Sequence, residues 1–319
     1  MAEDRESRDG AGLRRGLSVP CFAEDPADLV ELGVGAERAG LDGYFLWDHL
    51  VHADSGDGLP PIVDPWQVLA VVAARTSRIK LGTMITPVAR RRPWKLAKEV
   101  TTLDLLSGGR VILGVGLGAP AGEFGLFGEP TDTRHRAELL DEGLAVLAGL
   151  CSGQHFSHAG KHFTVGPVRF SPSPVQQPRV PVWVGGVFPS DGPLARAARR
   201  VAGMPPVRGP VARAARWDGF VPIHPGQPGE RPTTGEIAAV RDRIAGLRGT
   251  IEDFDIAIWG ELESAGQVAG LLPGYRAAGA TWWIESPGSG PGWLDAVRER
   301  LRGPTGRGPK VQSPRGRAL

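Results

Sequence analysis

An Asp-His pair at the end of an aromatic, apolar segment is the strongest chemical signal in the sequence. Asp48 and His49 directly follow the run GYFLW at 43–47, which is typical of a buried strand. Histidine changes its charge near neutral pH and is therefore well suited to carry a proton at a strand end. We take His49 as the candidate catalytic acid or base and Asp48 as its partner in the site. The alternative interpretation is a histidine that only packs against its loop.

Two glycine-rich segments also follow apolar runs. Residues 114–119 fit the pattern G-x-G-x-x-A of dinucleotide-binding turns, but Pro120 follows at once and helical periodicity resumes only near Arg134. Gly185 and Gly186 follow the run VPVWV, and their backbone N–H groups could hold a phosphate together with the start of the next helix. Each segment could equally be a tight turn between a strand and a helix.

The remaining polar clusters are weaker candidates. Three consecutive arginines at 90–92 precede the helix that Pro93 begins, where their charges oppose the helix dipole. They could mark an anionic ligand, but we favour a solvated face. Three histidines, His155, His158 and His162, lie in an irregular stretch that is more typical of a solvated hairpin than of a metal site. We predict no metal.

Strand and helix signals alternate eight times, and these elements must position the candidate residues. The predicted strands are 16–22, 43–47, 78–87, 110–118, 180–186, 219–222, 253–260 and 281–285. Helices are signalled by Asp-Pro pairs at 25–26 and 64–65 and by a capping box at 233–236. Parallel strands need helical crossovers, so the order predicts an α/β protein, a (β/α)8 TIM barrel with an insertion at 151–178 after the fourth helix. A doubly wound open sheet is the alternative.

The amino-acid composition limits the classes of protein to which this chain can belong. The 319 residues are 41% hydrophobic and 23% charged, which excludes a wholly disordered chain. We predict a disordered N-terminal segment at 1–15, one barrel domain at 16–302 and a disordered basic tail at 303–319. The tail holds four basic residues and no acid, whereas the whole chain has a net charge of only +2. The rest of the chain is therefore slightly negative, and the barrel is no nucleic-acid binder by charge. With neither a secretory signal nor an apolar run near 20 residues, we expect a cytoplasmic protein without membrane contact.

A short internal repeat lies after the fifth predicted strand. GPLARAARR at 192–200 and GPVARAARW at 209–217 share seven of nine positions. This is either chance in a stretch rich in Ala and Arg or a tandem duplication. A duplication would lengthen the loop or helix beside the candidate phosphate turn.

The ordered set of motifs closely resembles the bacterial luciferase-like superfamily of flavin- and deazaflavin-dependent oxidoreductases. It comprises YFLWDHL, the stretch from 64 to 118, EFGLFGE, VPVWVGG, ARAARWDGFVP and GATWWIE, and it covers about 16–302. The resemblance implies FMN or the deazaflavin coenzyme F-420 at the C-terminal face of the barrel. By position it implies a non-prolyl cis peptide at Thr83-Met84, a cofactor turn at Gly116-Leu117-Gly118, a phosphate turn at Gly185-Gly186-Val187, and catalytic roles for Asp48 and His49.

Two positions depart from the deazaflavin sugar dehydrogenases of that superfamily. Where those enzymes carry a proton-donating Glu after the fourth strand, this sequence has Ala119, and Glu123 is near but shifted. Where they carry an aromatic residue shortly after the His, this sequence has about Ala53. Both departures weaken an assignment as a sugar dehydrogenase.

The resemblance leads to a main hypothesis and three alternatives. The main hypothesis is a monooxygenase that uses reduced FMN and oxygen on a small organic substrate, with a flavin or deazaflavin reductase as partner. The first alternative is deazaflavin-dependent hydride transfer. The others are a barrel that binds flavin without turnover and a nicotinamide-dependent Rossmann enzyme that uses the turn at 114–119. Members of the superfamily are often dimers, so we expect a homodimer through the helices after strands two and three.

Overall fold

The computed structural model describes residues 12–51, 61–188, 209–224, 231–261, 265–288 and 290–302. The predicted basic tail at 303–319, most of the N-terminal segment and Ala53 lie outside these ranges. The first strand begins at Arg14, so the ordered barrel includes two residues that were predicted to precede it.

Eight parallel strands form a closed barrel, which confirms the predicted fold and makes the open-sheet alternative wrong. Around the barrel the strands neighbour one another in the order β1 (Arg14–Val19), β2 (Gly43–Leu46), β3 (Lys80–Pro87), β4 (Val111–Gly116), β7 (Val182–Val187), β8 (Gly219–Ile223), β9 (Asp255–Glu261) and β10 (Trp282–Ser286). Since β10 pairs with β1, the strand edges are fully satisfied.

Helices cover the outside of the barrel in the described ranges. They are α1 (Pro26–Arg38), α2 (Pro65–Arg75), α3 (Pro93–Ser107), α4 (Ala121–Leu126), α5 (Thr133–Cys151), α6 (Pro210–Ala214), α7 (Thr234–Arg248), α8 (Ala265–Ala278) and α9 (Trp293–Arg302). The predicted caps are present: Asp25 and Asp64 accept backbone N–H bonds at the starts of α1 and α2, and Thr233 with Glu236 closes the capping box of α7. Nowhere in these ranges is a helix both long and apolar enough to cross a membrane.

The barrel interior is filled by its own apolar cluster. Its large members are Phe45, Trp183 and Trp282, all fully buried, and the rings of Trp183 and Trp282 meet edge to face with centroids 5.3 Å apart. Two members, Ile85 and Trp259, are only partly buried. Both lie towards the C-terminal strand ends, so the interior is closed at the bottom and presents an apolar floor at its upper mouth.

The end of β3 departs from regular pairing. Its register with β4 shifts between Thr83 and Thr86, and the peptide bond between Met84 and Ile85 is cis. The non-prolyl cis bond therefore lies one residue after the Thr83-Met84 position that the resemblance implied. Glycines on β4 permit this geometry, because a Cβ at Gly114 would lie 2.3 Å from the carbonyl oxygen of Thr83.

The irregular stretch predicted after the fourth helix is a two-stranded hairpin, β5 (His155–Ala159) and β6 (Thr164–Arg169). Glu142 on α5 holds it by accepting hydrogen bonds from the backbone N–H groups of His162 and Phe163 at 3.0 and 2.7 Å. Burial raises the pKa of Glu142, but those N–H groups and His158 outweigh it and lower the pKa overall. The hairpin is thus docked on α5 rather than inserted into the barrel.

The second copy of the repeat supplies α6, whereas the first copy at 192–200 lies outside the described ranges. Arg213 in this second copy is buried and donates two hydrogen bonds to Asp141 on α5, at 2.7 and 2.9 Å. Pro210 packs so closely on Gly186 that a Cβ there would lie 2.3 Å from the proline ring. The helix after β7 is therefore anchored by residues of 209–217.

Replacing Gly114 with Ala is expected to destabilise the barrel by about 1–3 kcal/mol, because the added methyl group meets the backbone of β3 rather than a movable side chain. The measurement is the free energy of unfolding in urea. The matched control is Gly246→Ala on the exposed side of α7, where a Cβ meets nothing within 4 Å and helix propensity improves. Equal losses in both variants would contradict the argument.

Candidate active site

Asp48 and His49 lie at the C-terminal mouth of the barrel, directly after β2. Asp48 is buried, and the side chain of His49 is 24% exposed. The short strand ends at Leu46, and Trp47 continues its ladder by donating its backbone N–H to the carbonyl oxygen of Val19. This pairing carries the chain to the rim, where catalytic side chains of TIM barrels are found.

Asp48 is the anchor of a buried ionic cluster. Arg91 Nη2 contacts both of its carboxylate oxygens, at 2.7 and 2.8 Å, and Arg90 Nη2 lies 3.1 Å from Oδ1. Arg90 also donates to the backbone carbonyl of Asp48 at 2.5 Å. The hydroxyl of Thr86 completes the shell by donating to Oδ2 at 2.8 Å. Asp48 therefore ties the end of β2 to the irregular end of β3 and the loop before α3.

Glu123, the third residue of α4, joins His49 to this cluster. Its carboxylate is 1% exposed, and its Oε2 lies 3.1 Å from Nδ1 of His49. Its other oxygen accepts the backbone N–H of Leu50 and lies 3.0 Å from Arg90 Nη1. The residue that sequence analysis described as near but shifted thus makes the direct contact with the catalytic candidate.

The electrostatics of Glu123 determine the state of His49. Burial raises the pKa of Glu123, but the bonds from His49 and Leu50 and the charge of Arg90 outweigh it, so the pKa is lowered overall. An ionised carboxylate only accepts hydrogen bonds, so Nδ1 of His49 must carry the proton of this contact. In the neutral ring Nε2 is then the basic nitrogen. Among the described residues, Nε2 has no hydrogen-bond partner.

Arg90 and Arg91 form ion pairs within the cluster. The side chain of Arg90 is 4% exposed and lies between Asp48 and Glu123. Arg91 bridges Asp48 and Glu99, with 3.3 Å between its Nη1 and Glu99 Oε2. Burial lowers the pKa of Arg91, and the carboxylate of Asp48 more than restores it, so the pKa is raised overall. Three carboxylates thus balance the charge of the two guanidinium groups, although the buried Nη1 of Arg90 and Nε of Arg91 make no hydrogen bond among the described residues.

Cys21 is not a nucleophile of this site. It is fully buried, and burial raises its pKa to about 12, although a hydrogen bond from the backbone of His49 opposes the shift. The thiol stays neutral at physiological pH and packs beneath the loop that carries His49.

The irregular end of β3 forms a platform with the glycines of β4 and β7. Ile85 is partly exposed, and its side chain covers Gly185 and Gly116, where a Cβ would lie 1.9 and 3.0 Å from it. A side chain at either position would therefore have to displace the side chain of Ile85. A flat apolar surface of this kind fits one face of an isoalloxazine-type ring.

The turn after β4 is held from outside the barrel. Arg136 on α5 donates to the carbonyl oxygens of Leu117 and Gly118 at 3.1 and 2.9 Å. Gly118 has a φ of +79°, and a Cβ there would meet the ring of Phe124 at 2.7 Å. The turn and the start of α4 are thus fixed together, and this places Glu123 against His49.

Comparison with known proteins identifies the family of the chain. A family model described as luciferase-like monooxygenase matches residues 6–217. The chain belongs to the luciferase-like monooxygenase family. Its match with an F420-dependent glucose-6-phosphate dehydrogenase of Microbacterium testaceum is 33% identical over 192 residues and covers 60% of this chain and 55% of that protein. The chain therefore spans about half the length of that relative.

Two further matches extend over more of the chain. An F420-dependent glucose-6-phosphate dehydrogenase of Amycolatopsis mediterranei is 32% identical over 249 residues, which are 77% of this chain and 68% of that protein. The structure of a coenzyme F420 dependent tetrahydromethanopterin reductase from Methanopyrus kandleri has a TM-score of 0.65 at 17% identity and covers 92% of this chain and 98% of its own. At that identity the second match shows the shared fold.

Within this luciferase-like barrel, the structure brings together part of the predicted site. Asp48, His49, Thr83 and Met84 lie at neighbouring ends of β2 and β3, and Thr83 Oγ1 is 2.7 Å from the hydroxyl of Thr86. Gly116, Leu117 and Gly118 form the turn after β4. Gly185, Gly186 and Val187 end β7, but Gly185 faces Ile85 and Gly186 faces Pro210.

The turn at 114–119 belongs to a closed barrel, which excludes its use as a Rossmann fingerprint.

Sequence analysis was wrong about Arg90 and Arg91, and it gave no role to Thr86 or Glu123. The expected solvated face holds only for Arg92, which is exposed, whereas Arg90 and Arg91 serve Asp48. One feature of the sequence could have predicted these ion pairs. Three arginines at the start of α3 are unfavourable for the helix dipole, and nearby carboxylates would compensate their charge. His158 and His162, expected in a solvated hairpin, contact Glu142 and Glu138 at 3.2 and 3.3 Å.

Replacing Asp48 with Asn is expected to lower the free energy of unfolding by about 3 kcal/mol or more, because two largely buried guanidinium groups would lose their shared counter-charge. Urea unfolding followed by circular dichroism measures the loss. Asp295→Asn is the control, since that carboxylate is 84% exposed in its pair with Arg298 and should change the stability little. A mild effect of Asp48→Asn, similar to the control, would show that the cluster does not hold the mouth together.

Proposed function

We propose that this chain is an oxidoreductase that transfers a hydride between a deazaflavin coenzyme and a small organic alcohol or carbonyl compound. The support comes from two sources. The curated relatives reported above are F420-dependent dehydrogenases by name. The mouth of the barrel offers one proton-transfer group, His49, beside an apolar platform. These observations favour the hydride-transfer alternative over the FMN monooxygenase that was the main hypothesis from sequence.

The observation that carries the proposal is the His49–Glu123 pair at 3.1 Å, at the rim beside the Ile85 platform. A hydride transfer to or from a carbinol carbon needs a second group that takes or gives the hydroxyl proton. His49 is partly exposed, and its Nε2 is available for that purpose. Glu123 acts through His49, so it is a positioning residue rather than a catalytic one.

The described residues fit a flat tricyclic coenzyme. Ile85, which covers the buried Gly116 and Gly185, would lie against one face of the ring, and the turn Gly116-Leu117-Gly118 would border it. A deazaflavin supplies two-electron hydride exchange when it is bound. The tight packing of Gly186 on Pro210 leaves a phosphate less room at that glycine than the sequence suggested, so the phosphate turn stays a prediction.

The protein residues handle the proton. For oxidation of an alcohol, Nε2 of neutral His49 accepts the hydroxyl proton as the carbonyl group forms. The ring then carries a positive charge, which the ionised Glu123 stabilises through the Nδ1 contact. The hydrogen bonds from His49 and Leu50 and the charge of Arg90 together favour the ionised form of Glu123, and Asp48 keeps Arg90 in place. In the reverse direction protonated His49 returns the proton to the product oxygen.

The FMN monooxygenase remains the second candidate, because the matching family carries that description. It would require reduced FMN, oxygen and a reductase partner.

A homodimer through α2 and α3 is part of either proposal. Exposed apolar residues on these helices, Val71 on α2 and Leu105 and Leu106 on α3, are consistent with such a contact.

Parallel binding titrations test the cofactor. We expect the purified chain to bind the deazaflavin coenzyme with saturable fluorescence changes and to bind FMN and NADPH at least about tenfold more weakly, because the curated relatives that it resembles are F420-dependent by name. His49→Ala should leave deazaflavin affinity unchanged within about twofold and remove most turnover, by about a hundredfold or more.

The other outcomes are equally informative. Tight binding of reduced FMN alone, with oxygen uptake in the presence of a reductase, would overturn the proposal in favour of the monooxygenase. Binding of deazaflavin with full activity in His49→Ala would refute the role of His49. Binding of neither coenzyme would remove the cofactor assignment.

Glu123→Gln tests the positioning role. It keeps the shape of the side chain but removes the charge, so we expect kcat to fall about tenfold to a hundredfold while KM changes little. The decisive measurement is 15N NMR of the His49 ring. It should show protonated Nδ1 in the parent protein and a mixture of tautomers in the variant.

Glu129→Gln is the control for that experiment, because Glu129 is exposed shortly after α4 and is not part of the ionic cluster. An unchanged His49 spectrum in Glu123→Gln would mean that Glu123 does not determine the tautomer, whatever happens to the rate.

A further inference from the structure

The side of the mouth next to His49 is aromatic. Phe22, Trp47 and Trp259, which we call the aromatic wall, come from three separate parts of the chain: the loop after β1, the end of β2 and the end of β9. The ring centroids of Trp47 and Trp259 are 5.8 Å apart at 79°, and those of Phe22 and Trp47 are 6.0 Å apart at 85°. These are edge-to-face contacts, which hold the rings in defined orientations.

The aromatic wall contacts the catalytic candidate directly. The ring of His49 lies 5.9 Å from that of Phe22 and 6.1 Å from that of Trp47, measured between centroids. Trp47 is further fixed by a 3.2 Å hydrogen bond from its indole N–H to the hydroxyl of Ser18. The proton-transfer group and the wall therefore form one continuous surface.

Two rings of the aromatic wall, Trp47 and Trp259, differ from the core in exposure, whereas the third, Phe22, is buried. Trp183 and Trp282, deeper in the same barrel, are completely buried, whereas Trp47 and Trp259 are partly exposed. Packing alone accounts for the two deep rings. It does not account for large apolar rings at the open end of the barrel, where water would be in contact with them unless a ligand covered them.

The charges at the rim also point away from an anionic substrate. The positive charges of Arg90 and Arg91 are balanced by the carboxylates of Asp48, Glu123 and Glu99. Glu261, two residues after Trp259, adds a carboxylate at the end of β9. Over the described residues, the surface around His49 thus provides apolar area and no spare positive charge, which suits a neutral organic molecule better than a phosphorylated sugar.

From these observations we infer that the aromatic wall selects a neutral alcohol, or the matching aldehyde or ketone, whose body is an apolar ring or chain of similar size. This inference rests on the proposed function. In the oxidation direction the C–H bond of the carbinol breaks with its electron pair passing to the deazaflavin. The O–H proton passes to Nε2 of His49, and the C=O bond forms.

Benzyl alcohol and glucose 6-phosphate are suitable probes, because one offers an aromatic body and the other a charged sugar. Calorimetric titration of the full chain, with and without deazaflavin, measures their binding, and steady-state kinetics of the loaded protein measures kcat and KM. We expect benzyl alcohol to bind and to be oxidised, with KM at least about tenfold lower than for glucose 6-phosphate.

Trp259→Ala should weaken binding of benzyl alcohol and raise its KM about tenfold, with kcat within about twofold, because the wall provides binding area rather than proton transfer. Trp259→Leu retains much of the apolar volume and is therefore less prone to misfold than Trp259→Ala. It should raise the KM for benzyl alcohol by a smaller factor. Trp94→Ala is the matched control, since Trp94 is 39% exposed on α3 and packs against Phe163 of the hairpin loop. It should leave both constants unchanged.

Three results would overturn the inference: preferred turnover of glucose 6-phosphate, absence of benzyl alcohol binding in every state of the protein, or equal effects of Trp259→Ala and Trp94→Ala. The proposed function fails separately. If the chain does not bind deazaflavin but benzyl alcohol binds and the binding depends on Trp259, the wall is confirmed as a site for apolar molecules and the hydride-transfer chemistry is refuted.

Discussion

The carboxylate of Asp48 is the interaction on which the functional end of this barrel depends. It lies in a region where an unpaired charge would be strongly unfavourable, and two arginines and a threonine hydroxyl surround it. These partners come from the end of β3 and the loop before α3. The carboxylate therefore joins two strand ends that would otherwise be free to move apart. A charged group at such a position stabilises only when its partners stay together, which makes the cluster specific as well as stabilising.

From Asp48 the arrangement extends to His49, the proposed proton-transfer group. Arg90 is shared by Asp48 and Glu123, and Glu123 in turn contacts Nδ1 of His49. The orientation and tautomer of the histidine thus depend on a carboxylate that an arginine keeps ionised. Among the described residues of the rim, Arg90 and Arg91 are therefore cations whose charge is balanced by carboxylates. Together with the aromatic wall, this charge balance supports the proposed preference for a neutral substrate.

The platform beside His49 is made by backbone geometry rather than by charge. The register shift of β3 accompanies the close approach of Ile85 to Gly116 and Gly185, where a Cβ would lie 3.0 and 1.9 Å from its side chain. Trp47 and Trp259 stand at the same open end, while Trp183 and Trp282 close the interior below. One barrel thus combines a packed lower half, which provides stability, with an upper half that leaves apolar surface exposed to a ligand.

The sequence by itself determined the barrel, because eight apolar segments, their helical crossovers and their capping residues are local patterns that depend on neighbours within a few residues. It also located Asp48 and His49, since a polar pair directly after an aromatic strand is visible in the chain. Only the tertiary structure decided the partners. Glu123 is 74 positions from His49, and Arg90 and Arg91 are 42 and 43 positions from Asp48. No local pattern specifies such pairings. They arise when parallel strands bring their C-terminal ends to one rim, where buried charges must find each other.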